Sequence, residues 1–110
     1  GREVNNTIPK VTVETPSFRN IFIKNVKCKG ARRAMFFNGL PEMKIKNIQV
    51  EDAIISSDLG AELVHASGVT FKNVQVFPEK GPKIKIQHSD NVIIEGEKIP
   101  DTEKKVVEIK

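Results

Sequence analysis

Phe18-Arg19-Asn20-Ile21-Phe22-Ile23-Lys24-Asn25-Val26 decides how this chain folds, because it recurs. Its first six positions return as Ile45-Lys46-Asn47-Ile48-Gln49-Val50 and again as Phe71-Lys72-Asn73-Val74-Gln75-Val76. The shared order is large apolar, basic, Asn, β-branched, variable, β-branched. The steps are 27 residues (18 to 45) and 26 residues (45 to 71). A supersecondary unit returning at that interval marks a stacked repeat. Period-two alternation directs Phe18, Ile21 and Ile23 toward one interior only if the backbone bends at Arg19-Asn20. The same bend is predicted at Lys46-Asn47 and Lys72-Asn73. Asn suits a repeated bend because it tolerates the left-handed conformation and hydrogen-bonds nearby backbone. Where bends lie above one another, their amides can pair along the stack.

Working outward, a second set of equivalences appears. Val92-Ile93-Ile94 matches Val69-Thr70-Phe71 at a step of 23 (69 to 92), and that step places Ile84 over Ala61, Ile86 over Leu63 and His88 over His65. Turns are expected at Asn38-Gly39-Leu40-Pro41, Ser56-Ser57-Asp58-Leu59-Gly60, Ala66-Ser67-Gly68 and Phe77-Pro78-Glu79-Lys80-Gly81-Pro82. No segment carries a capped helical period. The fold class is therefore all-β, a right-handed parallel β-helix of about three to four coils. A β-sandwich also has short, turn-bounded strands, but it does not explain why the second half of each repeat aligns as well as the first. Residues 1–15 form an extended arm, 16–97 the coils, and 98–110 a charged tail that pairs as a last strand or caps the open end.

Composition agrees with a thin, layered structure. The chain has 110 residues, 38% of them hydrophobic, with no Trp or Tyr, so one domain built on a few reused apolar positions is favoured over a thick core. The net charge of +4 is mild, and most basic residues alternate with apolar ones, as on strand faces. Nucleic-acid binding calls for a basic patch with stacking aromatics, and the Phe residues sit inside apolar repeats instead. No apolar run reaches the length of a membrane span. Cys28 has no partner for an internal disulfide and continues the alternation of Ile21, Ile23 and Val26, so a buried or turn thiol is expected. The lack of a secretory leader carries no weight, because the chain starts at Gly1 rather than Met.

Several of these residues resemble a known family. Thr15-Pro16-Ser17-Phe18-Arg19-Asn20-Ile21-Phe22-Ile23-Lys24-Asn25-Val26, Lys29-Gly30-Ala31, Asn38-Gly39-Leu40-Pro41-Glu42-Met43 and Lys46-Asn47-Ile48 are similar to the C-terminal coils of glycoside hydrolase family 28. These are the polygalacturonase-like enzymes, and the likeness is closest to Bacteroidetes-type members. It spans Thr15 to Gly96. The resemblance implies a β-helix that hydrolyses galacturonide links in pectin with inversion, using two carboxyl groups set apart to admit a water. It also implies an extracytoplasmic location. The family's Asn-Thr-Asp, Asp-Asp and Gly-His-Gly motifs are absent, and Lys83-Ile84-Lys85 echoes its Arg-Ile-Lys only as ordinary strand alternation. No catalytic residue carries over.

The expectation is thus a C-terminal β-helix segment of a pectin-degrading hydrolase, structural in itself; the alternative is a stand-alone carbohydrate-binding or adhesin-like β-helix. The parent would be the enzyme, not this chain alone. Arg32 and Arg33, beside Lys29, form the densest basic cluster; they are the first choice for any contact to a galacturonan carboxylate, the other reading being a solvated loop. Glu62, Asp58 and Asp52 have no motif tying them to a second carboxylate. His65 and His88 are two ligands where a metal site needs more, so stacked turn histidines are expected, with no metal and no cofactor. The expected partners are upstream coils of the same parent and pectic polysaccharide. The end of the first coil is expected to self-associate or to be covered by the arm.

Overall fold

At Asn20, Asn25, Asn47 and Asn73 the backbone turns left-handed, with φ of 58°, 61°, 57° and 57°. At Asn25, Asn47 and Asn73 the alternation is reset, so that the positions two before and one after the corner both point inward. Ile45 and Ile48 flank Asn47 in this way, Val50 and Ala53 flank Asp52, and all four are fully buried. Of the nine non-glycine residues with positive φ among the described residues, all but Glu95 are Asn, Asp or His. These are the side chains for which that region is least costly.

The computed structural model describes residues 12–13 and 19–110. Among them the chain winds into a β-solenoid of about three turns, built from eight strands. These are β1 (Thr12–Val13), β2 (Arg19–Arg33), β3 (Phe36–Asn38), β4 (Ile45–Val64), β5 (Ala66–Gln87), β6 (Asp90–Ile94), β7 (Glu97–Ile99) and β8 (Val107–Ile109). β2 and β3 pair in parallel with β4, β4 with β5, and β5 with β6. Residues stacked in register form inward ladders: Ile21–Ile48–Val69–Val92 and Ile23–Val50–Phe71–Ile94 on one side, Phe37–Leu63–Ile86 on another. The expected stacking of Ile84 on Ala61 and Ile86 on Leu63 is observed. Cys28 is buried, as its place in the alternation predicts.

The register of the third coil differs from the sequence expectation. Phe71 stacks on Val50, a step of 21, not on Ile45. Each coil carries two left-handed corners five residues apart, Asn20 and Asn25 in the first, Asn47 and Asp52 in the second. The apolar-basic-Asn pattern fits either corner, so Asn73 matches Asn47 in sequence while its amide donates to Asp52 Oδ1 at 2.9 Å. Asn47 donates to Asn20 at 3.0 Å. The coil lengths follow from local insertions. A hairpin-like excursion closes between Leu40 and Met43, and a register shift between Cys28 and Ala31 adds to it, which lengthens the first coil. The turns expected at Ser56–Gly60 and Phe77–Pro82 are not loops. Ser56 pairs with Phe77, Ser57 with Pro78 and Leu59 with Lys80, so the ladder runs through them with one shift before Ala61. Up to that shift, where the third coil takes four positions (Lys80 to Ile84) against two (Leu59 to Ala61), the stacked segments satisfy each other's backbone groups.

The two ends are finished differently. β7 and β8 run antiparallel to β6 and β5 and end the parallel stack, so the tail both pairs and caps. The Glu95 carboxylate accepts the backbone amides of Asn73 and Val74 at 2.9 and 2.8 Å, standing where a further rung would. Buried Ser89 and Thr102 close the remaining corner, with Thr102 Oγ1 accepting from Ser89 N at 2.9 Å and donating to Ser89 O at 3.0 Å. At the other end Thr12 and Val13 of the arm pair with Phe36 and Phe37. The rest of the arm, and Phe18, lie outside the described residues. Ile21, Ile23 and Val26 of the first coil are only partly buried.

Phe71 is fully buried and Phe77 is 53% exposed, although both sit in the same coil. Replacing Phe71 with Ala should lower unfolding stability by about 3–5 kcal/mol, and Phe77→Ala by less than about 0.5 kcal/mol. Urea unfolding of the two variants checks this; equal losses would refute the observed register.

Candidate functional site

Arg33 closes β2, and its guanidinium carbon lies 4.5 Å over the ring of Phe36, which fixes the side chain along the surface. Register then assembles the rest. Arg33 stacks on Leu59 and Lys80 in one row, and Phe36 stacks on Glu62 and Lys85 in the next. Between the rows runs a groove of about 190 Å³. Its floor includes Gly60, where a side chain would run into the backbone carbonyls of Pro82 and Lys83, so glycine lets the coils close beneath the groove. Three cations face one carboxylate there, and Glu62 is already engaged, accepting from Gln87 Nε2 at 3.2 Å. A planar anion fits this charge pattern, with the pre-positioned Arg fork as its first partner.

The structure separates the two arginines expected to act together. Arg33 lines the groove, whereas Arg32 is exposed and does not. Lys80 and Lys85 join Arg33 instead. The signal for Lys80 was present in the sequence only through coil length, since its distance from Arg33 spans two coils of different size. Lys85 belongs to the Lys83-Ile84-Lys85 alternation. Asp58 is exposed, and Asp52 lies in the corner ladder with Asn73. Asp52, Asp58 and Glu62 therefore occupy separate places along the coil.

His65 and His88 stack as the sequence predicts, with ring centroids 4.8 Å apart and planes 14° from parallel. Both hold left-handed backbone. Beside them Lys44 reaches from the second coil to Asp90 Oδ2 at 3.3 Å and to Glu103 of the tail. Burial works against the Lys44 charge, but the bonds to Glu103 and Asp90 outweigh it and raise its pKa above the ordinary lysine value. The Ser67 hydroxyl on the facing rung, then Lys44, hold the Asp90 carboxyl below the usual range. Burial, reinforced by the neighbouring His88, lowers the His65 pKa. Among the described residues no group of three or more His, Cys, Asp or Glu side chains is placed to hold a metal ion. Among the described residues there is no helix long and apolar enough to cross a membrane.

No protein-family model, curated protein or solved structure matches this chain.

The histidine stack sets a pH dependence. A folded-state imidazole pKa below 6.5 means the unfolded chain binds the proton more readily, so stability falls as pH drops through and below 6.5. Asp90 adds a further loss only at lower pH, through the carboxylate range, and the Lys44 contribution is lost only above 10.5. The urea midpoint should decline between about pH 7 and pH 5, and His65→Asn, which keeps a residue tolerant of left-handed backbone, should flatten that decline. An unchanged slope in the variant would exclude the stack as its source.

Proposed function

We propose that this chain is the closing segment of a polygalacturonase-like glycoside hydrolase solenoid, a non-catalytic scaffold whose basic groove holds an acidic polysaccharide chain outside the cell. The observation that carries the scaffold role is the contrast between the two ends. One end is sealed by antiparallel strands, the Glu95 carboxylate and the Ser89–Thr102 pair. At the other, Ile21, Ile23 and Val26 are partly exposed where their counterparts Ile48, Val50 and Ala53 are fully buried. A face of that kind suits further coils of a parent chain, because stacked coils bury what a single coil leaves open. The sequence resemblance supplies the family and the galacturonan substrate, and the Arg33–Lys80–Lys85 cluster supplies chemistry suited to uronate carboxylates.

The alternative, an independent carbohydrate-binding or adhesin-like module, rests on the same groove and differs in having no catalytic parent. Reducing-sugar release from polygalacturonate, measured for this chain and for the full product of its gene, separates the two. Release only by the longer product supports the scaffold; release by neither, with retained binding, supports the module; release by this chain overturns both. Binding is expected to depend on the groove. Arg33→Ala should weaken hexagalacturonate binding by about tenfold, in line with loss of one charge-assisted bidentate contact. Arg32→Ala should leave it within about twofold. Isothermal titration of both variants checks the assignment, and equal losses would move the site off the groove.

A further inference from the structure

A second surface, on the opposite chemical footing, follows from a break in the corner ladder. Asn20 and Asn47 stack and pair amide to amide at 3.0 Å. On the next coil the equivalent position is Gly68, with φ +80°, and on the coil after that Asn91 resumes the row. The ladder therefore has one missing side chain. The Asn47 Oδ1 oxygen faces the gap, 3.2 Å from where a Gly68 Cβ would stand. The gap opens into a trough of about 530 Å³ whose other wall is the adjacent outward row of Phe22, Gln49 and Thr70.

The lining of this trough is uncharged from end to end. It offers amides and a hydroxyl, which donate and accept at once, as sugar hydroxyls do. Phe22 stands 58% exposed at one end of the trough. Its flat apolar face suits the C–H face of a pyranose ring. The rungs along the trough are about 4.8 Å apart, the spacing of paired strands, which is close to the length of one pyranose unit. We infer that this trough is a binding site for a neutral oligosaccharide lying along the solenoid axis, with a sugar hydroxyl seated in the Gly68 notch between Asn47 and Asn91. The site is separate from the Arg33 groove and does not depend on the acidic-polysaccharide assignment.

The test uses cellohexaose and β-1,4-galactohexaose as probes, titrated into the whole chain and followed by calorimetry and by backbone amide shifts. At least one should bind, with shifts centred on Gln49 and Thr70. Gly68→Asn fills the notch with a residue that tolerates left-handed backbone and should weaken binding by about tenfold or more, with the urea midpoint unchanged or raised as the ladder is completed. Phe22→Ala, at an exposed position, should weaken binding similarly. Arg33→Ala should leave it unchanged. Binding of neither probe, undiminished binding by Phe22→Ala, or tighter binding of hexagalacturonate at the same amides would each overturn the assignment. Should Gly68→Asn fail to fold, Phe22→Ala and the shift pattern decide alone.

Discussion

The solenoid depends on left-handed corners held directly above one another. An L-residue in that conformation is strained, and the strain is tolerable when the residue is Asn, Asp or His and its side chain is paired. Asn47 on Asn20 and Asn73 on Asp52 meet both conditions. Each corner in turn converts simple alternation into inward pairs such as Ile45 and Ile48, and these build the ladders of the core. Without the corners, the same apolar residues would lie on both faces of an extended strand and could not close a coil.

Stacked parallel coils always leave two open faces, and this chain spends much of its polar chemistry on one of them. Glu95 replaces an absent rung by binding two backbone amides, and Ser89 and Thr102 satisfy each other inside a closed corner. Antiparallel β7 and β8 then reverse the strand direction, which stops another coil from continuing the ladder in parallel. An exposed β edge invites association, and these devices blunt it. The same register that stacks the core also gathers Arg33, Lys80 and Lys85, which are scattered in sequence, onto one surface.

Much of this was legible from residues alone. The repeats gave the coils, and the 23-residue step placed His88 on His65 and Ile84 on Ala61 as observed. The register of the third coil was not legible, because two corners five residues apart carry the same pattern, and only packing chooses between Ile45 and Val50 as the partner of Phe71. Laddered turns at Ser56–Gly60 were hidden for a similar reason. Polar residues and glycine signal a turn, but they do not say whether the turn above matches it in length. The groove was half visible: Arg33 stood out as part of a basic pair, while Lys80 needed the coil lengths to be known. The trough was invisible, because Gln49 and Thr70 read as ordinary outward positions until Gly68 was seen to break a ladder.

The central coil has a consequence for how the molecule opens. β4 is paired on both sides, with β2 and β3 below and β5 above, whereas β2 is paired on one side only among the described residues. Contacts run almost wholly between neighbouring coils, so cooperativity is passed from coil to coil rather than shared across the whole. Backbone amide protection should then be graded along the axis. The amides joining β4 to β5 exchange with solvent only in the deepest opening, while those joining β2 to β4 exchange in a shallower one that frees the first coil. Release of that first coil would expose the lower edge of β4, an unpaired strand edge that could template a strand from another chain, so the least protected coil also covers an edge that must stay paired.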